Sequence, residues 1–282
     1  MDNNSQMQKI IYYVVILVLI SNQLYATDDE QSKSTLQVDV KIIEKDELFI
    51  LSATNHFFIP IQLVIYNRSN NTIKQEHLIQ PNTQIELLTF EKQDKDTLSK
   101  KFNKEYKIKY FYGDQSKISH NDNYLYCLPF QEGKKYRVSQ GQNGKFTHNT
   151  DKSRYAIDFK LKIGDQVHAA REGVVVRTID KFKEHGGSEF INKANLITIL
   201  HNDGTLGSYF HLDYKGVLVS VGDKVERGQL IGYSGLTGFT RGPHLHFVVN
   251  GKYNISVPVF FEGYENQVLK KRKKYKIIKN SP

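Results

Sequence analysis

Gly242-Pro243-His244-Leu245-His246-Phe247-Val248-Val249 sets two histidines two residues apart in a stretch of strong β character. Strand side chains alternate between the two faces of a sheet. His244 and His246 therefore share one face while Leu245 and Phe247 turn toward the core. Pro243 can start a strand but cannot sit in a central ladder position, and Phe247-Val248-Val249 supplies the aromatic and β-branched residues that strands prefer. Two imidazoles on one face can converge on one metal ion or one substrate. Two partly buried structural histidines would satisfy the same short pattern, so the pair gains meaning only from what surrounds it.

The surroundings are also rich in β signals. Residues 173–179, 196–201 and 216–221 are apolar, β-branched runs separated by glycine-containing turns, and no stretch beyond Tyr126 carries three turns of amphipathic helix. Residues 126–262 thus read as an all-β sandwich or barrel-like sheet with a groove formed by loops. Ahead of them, residues 36–42, 57–66, 85–90 and 106–112 alternate with period two, and turn formers such as Pro81-Asn82 and Gly113-Asp114 separate them. That pattern predicts an N-terminal antiparallel β-sandwich over residues 36–125. His56, His77 and His120 stand alone in it and are expected to be structural or exposed.

A chain of 282 residues is long enough for two such domains. It opens with Lys9, an apolar or aromatic run over residues 10–20, the small Ala26, and then Asp28-Asp29-Glu30. Eleven apolar residues fall short of the roughly 20 that a membrane span needs. Residues 1–26 therefore read as a signal peptide, with an uncleaved N-terminal anchor as the alternative, and the chain as exported, to a periplasm or the exterior. Residues 27–35 form a polar linker. Cys127 is the only cysteine, so no intramolecular disulfide is possible, and it reads as a small buried hydrophobe rather than a nucleophile. The net charge of +9 favours anionic envelope surfaces. No helix-turn-helix, RNP or finger signature points to nucleic acid, and the densest basic run, Lys270-Lys271-Arg272-Lys273-Lys274, falls in a region, 263–282, expected to be a solvated tail.

Four polar landmarks join the strand-rich second block: His148, Asp158 in Tyr155-Ala156-Ile157-Asp158-Phe159, His211 in Tyr209-Phe210-His211-Leu212, and the His244/His246 pair. A catalytic zinc site takes three nitrogen or oxygen ligands from the protein and leaves the fourth position to water. Two histidines and one carboxylate fill that requirement. The remaining histidines are then available for proton transfer or for stabilising a transition state.

With residues 167–175, His201-Asn202-Asp203-Gly204-Thr205, residues 221–232 and Ser234-Gly235-Leu236-Thr237-Gly238, these landmarks resemble the lysostaphin/LytM-type zinc metallopeptidases, in order and at similar spacing from about residue 140 to 250. The resemblance implies a duplicated-hybrid-motif β fold, one Zn2+ per chain, and hydrolysis of peptide stems or cross-bridges in bacterial cell-wall peptidoglycan; a monomer is expected. It further implies that Asp158 and His246 bind the metal and that His211 and His244 are catalytic partners. The chain departs from the family at the first ligand. The usual spacing puts a histidine four residues before the aspartate, where Arg154 stands, and an arginine stays protonated and cannot ligate. The nearest substitute is His148, ten residues before Asp158; here the chain is similar to a subgroup with a serine–histidine pair ahead of a Tyr-Ala-Ile-Asp-Phe segment. Either a short loop folds His148 back to complete the set, or the site lacks its first ligand and the domain is a non-catalytic binding module that activates other wall hydrolases. His201 is expected to be structural, His168 and His185 to lie at the surface, and Tyr209 either to line the groove or to pack in the sheet.

Overall fold

The computed structural model describes residues 37–278, so the expected signal segment and linker lie outside the described residues. The chain divides into two compact units at Tyr110/Phe111. The described residues are all-β apart from one α-helix and two single turns of 3₁₀ helix. Among the described residues no helix is long and apolar enough to cross a membrane.

The first unit contains β1 (Val38–Lys45), β2 (Leu48–Asn55), β3 (Ile61–Asn67), β4 (Ile73–Ile79), β5 (Gln84–Glu91), α1 (Lys95–Glu105) and, as far as Tyr110, β6 (Tyr106–Tyr112). Two three-stranded sheets result, ordered β1-β2-β5 and β4-β3-β6. Alternation explains β1, where Val38, Val40 and Ile42 are buried and the residues between them are not. The helix was not expected. Its start signal is Asp94, whose carboxylate caps the turn by accepting from the Thr97 amide at 2.8 Å. Its apolar face is only Leu98 and Phe102, one turn apart and both buried, too narrow a stripe to stand out among the lysines. Residues 57–60, read as the start of a strand, precede β3 instead, because Pro60 cannot donate to a ladder.

The second unit begins earlier than Tyr126. Residues 111–124 belong to it because they are tied there: the Ser119 amide donates to the Asp203 carbonyl at 3.0 Å, and Gln115 accepts from the Tyr253 amide at 2.7 Å. Its strands are β7 (Leu125–Tyr126), β8 (Lys135–Gln140), β9 (Ile157–Phe159), β10 (Gln166–His168), β11 (Gly173–Ile179), β12 (His185–Gly186), β13 (Asn195–Leu200), β14 (Leu206–Val217), β15 (Lys224–Val225), β16 (Leu230–Ser234), β17 (Gly238–Phe239), β18 (Leu245–Asn250), β19 (Phe260–Phe261) and β20 (Lys274–Lys276). Ten of them form one sheet, with the path β15-β11-β13-β14-β18-β9-β8-β20 and with β10 and β16 joined from the side. The expected strand over residues 216–221 is only the end of β14, which stops at Val217.

One face of this sheet buries a continuous core that includes Tyr126, Phe130, Ile157, Phe159, Tyr209, Leu245, Phe247 and Phe261. Phe159 and Phe247 each pack edge-on or tilted against Phe261, with centroids 6.1 and 6.3 Å apart. This core locks the register of β18. A slip of one residue would expose Leu245 and Phe247 and drive two histidines inward. Burial of each large apolar side chain is worth about 1.5–3 kcal/mol, so the hydrophobic pattern fixes which way the imidazoles point.

The basic C-terminal segment is not a free tail. Residues 274–276 pair with β8, and Leu269 and Tyr275 are buried in the core. The cationic side chains of the segment remain exposed. Two apolar anchors within a run of lysines and one arginine are enough to hold the backbone while the long charged stems stay in water.

His201 packs as expected for a structural histidine. It is 3% exposed, its Nδ1 lies 2.9 Å from the Thr205 hydroxyl, and burial, reinforced by nearby Arg171, pushes its pKa down to about 3. The unfolded chain, with an ordinary histidine pKa of about 6.5, therefore takes up this proton more readily than the folded one. Stability from this group is present above about pH 6.5 and is lost progressively as pH falls toward 3, by up to about 1.36 kcal/mol per pH unit. Urea unfolding midpoints measured between neutral pH and about pH 5 should fall more steeply for the wild type than for His201→Gln. Equal slopes would assign the acid sensitivity to other groups.

Candidate metal centre

Three strands and one loop converge on the upper face of β18. In the antiparallel ladder His246 stands directly opposite Asp158 of β9 on one side and Phe210 of β14 on the other. Direct opposition in a ladder brings side chains close, and His246 Nδ1 lies 2.8 Å from Asp158 Oδ1. His148 arrives from the loop between β8 and β9. That loop is folded back by the Asn143 amide on the Arg154 carbonyl at 2.7 Å, by the Ser153 hydroxyl on the Thr147 carbonyl at 2.7 Å, and by Gln140 on the Thr147 hydroxyl at 2.6 Å. The result is a fully buried imidazole whose Nε2 is 3.2 Å from Asp158 Oδ1 and 3.2 Å from His246 Nδ1. Arg154, at the family's usual ligand position, turns away and pairs with Asp151 at 2.9 Å.

Hydrogen-bond partners settle the tautomer of His148. Its Nδ1 is 2.9 Å from the Gly141 carbonyl, which can only accept, so Nδ1 carries the proton and Nε2 presents a lone pair. That lone pair faces a carboxylate and a second imidazole. Three electron-rich atoms at such distances repel one another unless a cation or a shared proton lies among them. Burial alone would raise the pKa of Asp158, but the surrounding histidines hold its carboxyl well below the usual range, so it remains an anion. A tetrahedral centre with bonds near 2.0–2.1 Å has ligand–ligand edges of roughly 3.3 Å. The observed spacings of 3.2, 3.2 and 2.8 Å fit that requirement. Among the described residues these three side chains are the group that could hold a metal ion.

His211 and His244 complete the cluster by different routes. Asn195 pairs with Leu212 and Leu196 with Phe210, which leaves His211 as the extra residue of a β-bulge. Its φ of +64° is the left-handed conformation that such an unpaired residue can take, and the bulge re-aims the side chain. The Thr237 carbonyl, 2.7 Å from His211 Nδ1, then fixes the ring. His244 is fixed in the same way by the Gly242 carbonyl at 2.9 Å, with the Thr240 hydroxyl at 3.2 Å. Each carbonyl accepts a hydrogen bond from Nδ1–H, which leaves Nε2 without a proton. The two rings lie 4.6 Å apart, and His244 Nε2 is 3.7 Å from Asp158 Oδ1. Burial, with help from His244 and His246, pushes the His211 pKa down to about 3, so that imidazole is neutral at physiological pH.

All five expected side chains thus meet in one place. The residues that sequence reasoning missed act through the backbone: the carbonyls of Gly141, Thr237 and Gly242 choose the tautomers, and no side-chain pattern reveals them. Thr240 was also unmarked, as was the stacking of Phe146 on Phe239, with centroids 6.1 Å apart. Tyr209 lies in the core, its hydroxyl accepting from the Ala170 amide at 2.7 Å. His185 is exposed, whereas His168 is half-buried and bonded to the Gly228 carbonyl at 2.7 Å.

The sequence model for Peptidase family M23 matches residues 152–257. Residues 152–257 belong to peptidase family M23. The matched segment contains Asp158, His211, His244 and His246 but begins after His148. Among the relatives of this M23 domain, an uncharacterized metalloprotease of Buchnera aphidicola is 39% identical over 125 residues, covering 43% of this chain and 30% of its own length. Peptidoglycan DD-endopeptidase ShyA of Vibrio cholerae is 35% identical over 123 residues, covering 42% of this chain and 26% of ShyA. Among solved structures, the catalytic domain of the antimicrobial peptidase lysostaphin from Staphylococcus simulans is 30% identical and matches 44% of this chain and 87% of that one, with a TM-score of 0.33. The chain spans between a quarter and a third of the length of these two curated relatives.

Proposed function

We propose that this M23 chain is an exported zinc-dependent endopeptidase that hydrolyses peptide bonds in bacterial cell-wall peptidoglycan, with His148, Asp158 and His246 holding the metal. The observation that carries the reading is the trio of electron-rich atoms at the edge lengths of a tetrahedron, with two bare Nε2 atoms beside it. When bound there, zinc supplies Lewis acidity that brings the pKa of water toward 7 and polarises a carbonyl. His244 is placed to take the proton of the attacking water, because its Nε2 faces the anionic Asp158 at 3.7 Å and a carboxylate stabilises the imidazolium that forms. Once protonated, the same nitrogen is a donor for the developing oxyanion and then for the leaving amine. His211, kept neutral by burial, orients the water through its lone pair.

The substrate assignment rests on relatives such as ShyA, whose name specifies a peptidoglycan DD-endopeptidase. Five intact side chains support an enzyme over a non-catalytic module that activates other hydrolases. Digestion of isolated peptidoglycan of several cross-bridge types, followed by mass analysis of the fragments with and without a chelator, tests both points. New amino termini that appear only without chelator are expected. A purified protein with zinc stoichiometry near zero and no cleavage of any wall would establish the non-catalytic reading instead.

A further inference from the structure

The β8/β20 pair carries a charge arrangement that the proposed reaction does not use. In its register Lys274 opposes Arg137, Tyr275 opposes Tyr136 and Lys276 opposes Lys135. Tyr275 is buried against the core, so alternation sends Lys135, Arg137, Lys274 and Lys276 to the other face, where all four are exposed. Directly opposed strand residues sit about 4.5–5.5 Å apart, and like charges placed so destabilise the pair. None of the four joins an ion pair among the described residues. The exposed turn residues Lys270, Lys271, Arg272 and Lys273 extend the array.

The array is held rather than loose. Arg272 donates its amide to the Val138 carbonyl at 2.8 Å, and the Val138 amide donates to the Lys273 carbonyl at 3.0 Å. On the outer edge the Tyr264 hydroxyl donates to the Lys276 carbonyl at 3.0 Å. A rigid sheet edge that keeps like charges opposed without neutralising them is less stable than a neutralised one, and an anionic partner would offset the repulsion. The exposed aliphatic residues Val268 and Ile278 flank the array at 50% and 36% exposure. Cations beside aliphatic side chains are the composition of a surface that lies on a bilayer, with charges among headgroups and methyl groups at the acyl boundary. A soluble hydrophilic polyanion would gain nothing from them.

The geometry points to the β8/β20 face as a docking surface for an anionic phospholipid bilayer. The site is separate from the metal centre and does not depend on its activity. The test is co-sedimentation of the full chain with phosphatidylcholine vesicles that contain or lack phosphatidylglycerol, using the wild type and the variant K135Q/R137Q/K274Q/K276Q. Phosphatidylglycerol should strengthen binding of the wild type, the four substitutions should weaken it by more than about 100-fold, and salt should abolish the difference. The variant should also unfold at the same temperature or higher, because opposed charges have been removed; this distinguishes a docking role from a structural one. Equal binding to neutral vesicles, binding unchanged in the variant, or retention by soluble polyphosphate but not by vesicles would overturn the assignment.

Discussion

Asp158→Ala is expected to leave the purified protein with almost no zinc and no measurable cleavage of peptidoglycan. Asp158 is the single carboxylate in the cluster, and two imidazoles face its Oδ1 at 2.8 and 3.2 Å. Without it, two neutral nitrogens 3.2 Å apart would have to hold a dication in a largely buried site with no compensating negative charge, which is the costly case for a buried ion. The loss of affinity should exceed the roughly 10–100-fold that follows from disturbing an outer partner of a ligand. His148→Ala should remove zinc as well, because the fully buried His148 is the only histidine the β8–β9 loop delivers to the cluster. Arg154→Ala is the control: its guanidinium pairs with Asp151 at the surface, so metal content and activity should match the wild type. Zinc stoichiometry on dialysed protein decides the matter. A His148→Ala protein that kept its zinc, or an Arg154→Ala protein that lost it, would show that the first ligand has been misassigned.

How much of this was legible beforehand differs between the two strands that carry Asp158 and His246 and the loop that carries His148. His246 and Asp158 could be read from sequence because each sits in a short β run whose apolar neighbours fix its facing: Leu245 and Phe247 for one, Ile157 and Phe159 for the other. His211 was legible by its place after Tyr209-Phe210, but the bulge that turns its ring was not, since the extra residue shows only in the pairing of Asn195 with Leu212. His148 could only be nominated. Its placement depends on a loop closed by backbone bonds such as Asn143 to Arg154, and backbone bonds leave no trace in side-chain periodicity.

The same limit explains the errors at the ends of the second unit. Residues 111–124 looked like a continuation of the first domain because their ties to Asp203 and Tyr253 are non-local. The C-terminal run looked solvated because seven of the nine residues 268–276 are charged or exposed aliphatic, and the two that decide, Leu269 and Tyr275, are separated by a turn. Local composition reports what a segment can tolerate. What it packs against is set by partners more than 100 residues away, here Tyr136 and Val138 of β8.

Replacing His244 should give the opposite signature from replacing a ligand: zinc retained, catalysis lost. His244 Nε2 stands 3.7 Å from Asp158 Oδ1, outside the three contacts of 2.8–3.2 Å that join the proposed ligands, while its Nδ1 is committed to the Gly242 carbonyl. It therefore has one free lone pair beside the reacting centre. Loss of a positioned general base lowers rates by about 100- to 10,000-fold, and His244→Ala should fall in that range in kcat, with zinc content unchanged. His211→Ala should lower kcat less. Burial keeps His211 neutral, so the variant forfeits orientation of the water but not the group that carries the proton. The ranking follows from environment alone: of two bare imidazoles 4.6 Å apart, burial keeps His211 neutral, while the Asp158 carboxylate lies 3.7 Å from His244 Nε2. Turnover of a peptidoglycan fragment, measured with zinc content on the same preparations, separates these cases. Coincident loss of zinc and activity in His244→Ala would make it a ligand, and a larger loss in His211→Ala would exchange the two roles.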